Sequence, residues 1–156
     1  MMAPKRIGDV TQSYFLARCL EVGWAVSVPL GDCSRYDCIL DRKNGLERIQ
    51  IKTGRIRNGA ITFSSCSSTY HVPGGCNTKH KHQPYYGEID NFGIYCPETR
   101  KCYIVPVDCV GRREGSLRVE LSKNGQHRGV KFAKDYEIVG ESIYQPVKKK
   151  VDKSSL

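Results

Sequence analysis

One short segment limits the fold of this chain more than any other. Two alternating apolar runs, Tyr36–Arg42 and Leu46–Thr53, flank Lys43-Asn44-Gly45. Asn-Gly between such runs signals a hairpin closed by a two-residue type I′ turn. If Asn44 and Gly45 form that turn, Lys43 pairs with Leu46 and Leu40 with Ile49. Ile39 then pairs with Gln50, Cys38 with Ile51 and Asp37 with Lys52. One face collects Cys38, Leu40, Ile49 and Ile51, a core face. The other collects Asp37, Ile39, Gln50 and Lys52, with Asp41 and Arg48 toward the turn. Directly opposed Cβ atoms lie about 4.5–5.5 Å apart. Asp37 is therefore expected beside Lys52, with Gln50 on the neighbouring diagonal.

The remaining pattern predicts a mixed α/β domain with an N-terminal helix, a mixed, curved sheet and a second short helix. Val10, Tyr14, Ala17 and Leu20 recur at helical spacing, widened by Phe15 and Leu16, and predict a helix over 8–22. Gly23 stops it. Strands are expected at Trp24–Pro29, at 60–65 after an Arg57-Asn58-Gly59 turn, at Phe92–Cys96 and at Lys101–Val107. Short helices are expected at Val107–Arg113, capped by Asp108, and at Glu137–Tyr144. Residues 66–87, rich in Ser, Gly, His and Lys, read as a long basic loop inserted into a single domain spanning 1–147. A basic polar tail covers 148–156.

Composition narrows the partner. The chain has 156 residues, 39% of them hydrophobic, which suits one compact domain. Its net charge is +9, from 25 Lys plus Arg against 16 Asp plus Glu. That excess favours a polyanion, because basic groups release the counterions condensed on nucleic acid. No apolar run approaches the roughly 18 residues that span a bilayer. No apolar stretch follows Lys5-Arg6, so no secretory signal is read. A cytoplasmic, nucleoid-associated protein is expected. Most of the eight cysteines then read as buried thiols.

The polar face of the hairpin has a chemistry of its own. Phosphodiester hydrolysis uses a metal to stabilise developing charge and to lower the pKa of an attacking water. Hard oxygen ligands suit Mg²⁺. Asp37 offers a carboxylate, Gln50 an amide oxygen and Ile51 a backbone carbonyl. Lys52 would orient the water or stabilise phosphorane-like charge. An opposed Asp and Lys are more often a plain cross-strand ion pair. The combination of polar groups at a strand centre, in a strongly basic chain, argues for more.

The hairpin residues also resemble a known family. Asp37, a hairpin, then Gln50-Ile51-Lys52 resembles the PD-(D/E)xK nuclease motif in its Q-x-K form. Further landmarks extend the likeness over roughly residues 5–140. They are Gly8-Asp9-Val10, Gly23-Trp24, Ser34-Arg35-Tyr36-Asp37, Gln50-Ile51-Lys52-Thr53-Gly54-Arg55, Tyr86-Gly87-Glu88-Ile89-Asp90 and Tyr95-Cys96-Pro97-Glu98-Thr99. Together they resemble the bacterial group I intron homing endonucleases of this class. The resemblance implies cleavage of double-stranded DNA with Mg²⁺, which Mn²⁺ can replace, by a homodimer or homotetramer on a long near-palindromic site. Symmetry supports the last point, since one small subunit cuts one strand. The family usually carries a glutamate where Gln12 stands in the first helix. Asp9, one turn earlier on the same face, is the candidate substitute. Two alternatives remain: a nuclease like a Holliday-junction resolvase, and a catalytically inactive DNA-binding protein.

Other constellations carry weaker signals. Cys66, His71, Cys76, His80 and His82 fall close together but match no standard zinc spacing. Lys79, His80, Lys81 and His82 read more simply as a basic loop on phosphates. Arg55 and Arg57 precede a strand able to form a ribbon, and ribbons fit the major groove. Lys5 and Arg6 are further candidate DNA contacts. Glu88 and Asp90 are a competing carboxylate pair, for which capping or ion pairing is the simpler role. Lys148-Lys149-Lys150 reads as a solvated tail.

Overall fold

The computed structural model describes residues 1–71 and 79–140, with backbone alone at 69–71 and 79–80. Cys76, the basic tail with Lys148–Lys150, and the end of the Glu137–Tyr144 segment lie outside the described residues. Helix α1 spans Pro4–Glu21, with Pro4 in its first turn, where a missing N–H costs nothing. Three strands follow: β1 (Ala25–Ser27), β2 (Cys38–Arg42) and β3 (Gly45–Thr53). Next come β4 (Arg55–Arg57), β5 (Ala60–Ser64), β6 (Cys66–His71) and β7 (Lys79–Pro84). The chain continues through β8 (Asn91–Cys96), β9 (Lys101–Pro106) and β10 (Glu114–Arg118).

Among the described residues the strands form three sheets. The central one has the order β1-β2-β3-β8-β9, and a second has the order β10-β5-β4. Strands β6 and β7 pair alone as an antiparallel ribbon. All neighbours in the central sheet are antiparallel except β3 and β8, so the sheet is mixed. Both of its faces are covered, and every residue of β8 is buried. On one face Phe15 and Cys19 of α1 pack with Cys38, Leu40, Ile49, Ile51 and Cys102. On the other, Phe92, Ile94 and Val105 meet Ile61, Phe63 and Leu117 of the second sheet, together with Tyr85 and Ile89.

Two glycines let these layers close. A Cβ on Gly93 would stand 2.4 Å from Cζ of Phe15. A Cβ on Gly54 would stand 2.6 Å from a methyl of Ile61. The first permits the helix to seat on β8, and the second lets β3 run directly beneath the second sheet.

Several expectations need correction. The hairpin turn is Lys43-Asn44, with Arg42 opposite Gly45 and Cys38 opposite Ile49. Gly45 takes φ +111°, while Lys43 and Asn44 stay out of the left-handed region. The left-handed residue thus follows the corner, as in a type I turn closed by a glycine bulge. The type I′ signature sits instead at Asn58 (φ +50°) and Gly59 (φ +74°), between β4 and β5. The register therefore slips by two residues. Strand side chains alternate with period two, so the slip leaves both faces intact.

The helix is rotated from its expected apolar stripe. Thr11, Phe15 and Cys19 are its buried residues, whereas Val10, Tyr14 and Leu20 are exposed. Phe15 fills the space over Gly93, and the Thr11 hydroxyl meets that of Thr53 at 2.6 Å. Residues 66–71 and 79–84 are the β6–β7 ribbon rather than a loop. The Val107–Arg113 helix shrinks to a single 3-10 turn, Val107–Cys109, preceded by Pro106 with no side-chain cap. A second such turn covers Ala133–Asp135, and residues 137–140 are not helical. Strand β10 is an addition to the expected elements.

Candidate active site

Parity along β3 decides what the site contains. Ile49, Ile51 and Thr53 point toward α1. Gln50 and Lys52 point the opposite way, under the second sheet and the foot of the ribbon. They pair with Phe92 and Ile94 of β8. Both are half-buried.

Asp37 comes to this region from the residue just before β2. Its N–H donates to the Ile49 carbonyl at 2.8 Å, although Ile49 is already the ladder partner of Cys38. Two residues opposite one is the arrangement of a β-bulge, which re-aims a side chain. Asp37 Oδ2 accepts a hydrogen bond from the Ile51 N–H at 2.7 Å. The N–H and C=O of one strand residue point to the same edge, so the Ile51 carbonyl faces the Asp37 side as well. Strand β2 has ended there, and the carbonyl has no ladder partner at that edge.

Burial pushes the Asp37 carboxyl above its ordinary range. The Ile51 N–H and the positive charge of Lys52 both oppose that rise. Lys52 is thus within electrostatic reach, but the two make no ion pair within 4 Å among the described residues. The expected side-by-side pairing of Asp37 and Lys52 is not formed, because the two-residue slip carries Lys52 past Asp37. Lys52 Nζ instead donates to the Tyr85 hydroxyl at 3.3 Å and the Cys66 carbonyl at 3.4 Å. A plain cross-strand salt bridge is therefore not the role of this pair.

Helix α1 approaches from the other face. Tyr14 stacks on Tyr95 at 4.5 Å, and Arg18 donates to the Ile138 carbonyl at 3.2 Å, so this flank lies over β8 and β9. Leu16, Trp24 and Val26 are half-buried against the cluster beneath the helix, which also packs on β1. Gln12 is half-buried. Asp9 lies one turn earlier, turned further to solvent, and is exposed.

The competing carboxylates are engaged elsewhere. Asp90 accepts from the Arg48 backbone at 2.7 Å and from its guanidinium at 3.1 and 3.2 Å. That guanidinium holds the Asp90 carboxyl below its usual range. Glu88 pairs with Arg35. Among the described residues, no group of three or more His, Cys, Asp or Glu side chains is placed to hold a metal. Burial pushes the Cys38 and Cys102 thiols up to about 12, and Cys19 higher still, so these are packing groups rather than nucleophiles.

The candidate DNA contacts divide. Lys5 and Arg6 are exposed in the first turns of α1. Arg57 is exposed at the end of β4, and Arg55 lies 3.9 Å from Glu98. Lys81 is exposed on β7. His82 is exposed too, but its Nδ1 faces Cys66 Sγ at 3.5 Å and Ser68 Oγ at 3.3 Å. Lys79 and His80 belong to β7 by backbone pairing alone. Tyr85, which borders Lys52 from above, carries no signal in the sequence. Arg35, stacked on Tyr85, stands out there only as part of Ser34-Arg35-Tyr36-Asp37.

Comparison with known proteins identifies the family and the fold. Residues 2–139 match the sequence profile of the PD-(D/E)XK endonucleases. The fold superposes on the structure of a bacterial homing endonuclease, I-Ssp6803I, with a TM-score of 0.67 and 25% sequence identity. The alignment covers 87% of this chain and 89% of that one. No curated protein sequence matches the chain.

Proposed function

The chain belongs to the PD-(D/E)XK endonuclease family, and we propose that it is a homing endonuclease of the group I intron kind, acting on nucleoid DNA. It hydrolyses both strands of a long, near-palindromic duplex target as a homodimer or homotetramer. The likeness to I-Ssp6803I, itself titled a homing endonuclease, supports that choice within the family. The net charge of +9 supports a DNA substrate.

The observation that carries the reading is the Asp37 carboxylate, half-buried and fixed on the Ile51 N–H, with the Lys52 amine close by but unpaired with it. A divalent ion fits this donor set. Asp37 Oδ1 has no hydrogen bond among the described residues, and hard oxygens from Gln50 and the Ile51 carbonyl lie on the same strand. Such donors suit Mg²⁺, with Mn²⁺ as a substitute, and not a thiolate-loving ion. When bound, the ion supplies charge neutralisation at the phosphate and a more acidic water. With a single strong anionic ligand in the set, an ion held there would depend on the DNA phosphate for further oxygens. Lys52 places its ammonium against the attacked phosphate, where negative charge grows. Asp37 holds its side of the site rigid through Ile51. Gln12 contributes an amide, not a charge, from α1. The exposed Lys5, Arg6, Arg57 and Lys81 and the half-buried Arg55, with His82 and the remaining ribbon residues Lys79 and His80, bind the DNA backbone and grooves.

The test is cleavage of a diverse plasmid library with Mg²⁺, wild type beside Lys52→Ala. Discrete double-strand cuts that fall by about a hundred- to a thousandfold in the variant are expected. Normal cutting by Lys52→Ala would remove the assignment. Cutting confined to branched DNA would move the protein to the junction resolvases. Salt-sensitive binding with no cutting would make it a DNA-binding protein, with Gln12→Glu as the attempt to restore activity.

A further inference from the structure

We propose that Tyr85, clamped by Arg35, is a positioning residue that holds the Lys52 amine for strand cleavage. This rests on Lys52 serving the reaction as described above. A lysine ammonium sits on a flexible four-carbon stem with large rotamer freedom. A group that must meet a transition state is useful only if its neighbours hold it within about 0.5 Å. The Lys52 amine is held by two acceptors, the Tyr85 hydroxyl at 3.3 Å and the Cys66 carbonyl at 3.4 Å. Its nitrogen also lies 5.0 Å from the centre of the Tyr85 ring, within cation–π range. Both acceptors stand at the foot of the β6–β7 ribbon.

Tyr85 is itself immobilised. It is 4% exposed, and its ring meets Phe92 edge-on at 5.6 Å and 90°. Phe92 is the β8 partner of Gln50, so the contact registers Tyr85 against the site strand. The Arg35 guanidinium covers the ring at 4.0 Å. Its three nitrogens are all used: Nε on Glu88, Nη1 on Ser67 Oγ at 2.8 Å, and Nη2 on the Pro84 carbonyl at 3.2 Å. Ser67 belongs to β6 and Pro84 to β7, so Arg35 ties both strands of the ribbon. Arg35 is also two residues ahead of Asp37. One clasp therefore joins the foot of the ribbon, the approach to Asp37 and the Lys52 amine. Tyr85 acts only through Lys52, and Arg35 only through Tyr85 and the ribbon.

Tyr85→Phe removes the hydroxyl and keeps the ring, so it should fold, and its melting temperature checks that. Two readouts are taken. The first is the rate of Lys52 acetylation by a small acylating reagent, measured by mass spectrometry against the exposed Lys43 of the same molecule. The second is single-turnover cleavage with bound DNA, alongside the Kd for that DNA. In Tyr85→Phe, Lys52 acetylation should rise about threefold or more and cleavage should fall about tenfold, with Kd unchanged. Arg35→Lys, which keeps the cation but loses the fork, should fall between wild type and Tyr85→Phe. Unchanged acetylation overturns the proposal, as does looser Lys52 with cleavage at the wild-type rate. A fall in cleavage matched by an equal loss of DNA affinity overturns it too, because Tyr85 would then serve binding. If Lys52→Ala itself cuts normally, it is the active-site reading that fails, and that variant rather than Tyr85→Phe reports it.

Discussion

The two faces of β3 are built on opposite principles. Toward α1, Ile49, Ile51 and Thr53 meet a close-packed layer of Phe15, Cys19, Cys38 and Leu40, with Thr11 bonded to Thr53. Toward the ribbon, Gln50 and Lys52 are half-buried, and the Lys52 amine lies against Tyr85, itself covered by Arg35. The first face sets where the strand lies. The second holds groups that would be cheaper in water, above all a carboxyl whose burial raises its pKa. A strand satisfies both because alternate residues never share a face.

Substitutions should separate the two faces cleanly. Phe15→Ala is the largest expected effect on the helix side. The ring is fully buried over Gly93, and its loss should cost about 3–5 kcal/mol in denaturant unfolding. Gly93→Ala attacks the same contact from the other partner, placing a methyl 2.4 Å from Phe15 Cζ. Overpacking of this kind should cost about 1–3 kcal/mol. If either variant loses cleavage while keeping wild-type stability, the division between a structural face and a chemical one is wrong.

Asp37→Asn should do the reverse. Because the Asp37 pKa is higher in the folded chain than in the unfolded one, its favourable contribution is full at low pH. It is lost as pH rises through the folded value, so the ionised group costs stability at neutral pH. The asparagine amide oxygen can still accept from the Ile51 N–H. The variant should therefore melt above wild type at neutral pH, by less than the packing variants lose, while cleavage vanishes. The gain should shrink as pH falls through the carboxylate range. A variant that melts lower at neutral pH would mean that the carboxylate stabilises the fold.

How much of this was legible follows from range. Which residues share a face of the hairpin was readable, because parity survives a two-residue slip. That is why Asp37, Gln50 and Lys52 could be grouped although their pairing was wrong. The register itself was not readable, since Lys43-Asn44-Gly45 supports two turns and only the observed pairing of Arg42 with Gly45 decides. The helix face was misread because its buried positions are Thr11 and Cys19 beside Phe15, whereas Val10, Tyr14 and Leu20 stay exposed. Strand β10 offers little alternation, since its two buried residues are Gly115 and Leu117. Tyr85 and Arg35 reach the site through contacts distant in sequence, which no local period encodes.

Arg55 tests the outer limit of the polar face. It opens β4, directly after Gly54, and lies 3.9 Å from Glu98, with both side chains about two-fifths exposed. An ion pair that loose in water contributes between about 0 and 1 kcal/mol, so Arg55→Ala should barely move the melting temperature. If the surface that continues from Lys52 lies against DNA, the same change removes one phosphate contact. The slope of log affinity against log salt should then flatten by about one unit, with affinity lost evenly across sequences. An unchanged slope would confine Arg55 to its pairing with Glu98 and end the DNA-facing surface at Lys52. A slope that flattens together with loss of discrimination at one base position would instead make Arg55 a base reader, extending the chemical face of β3 into the groove.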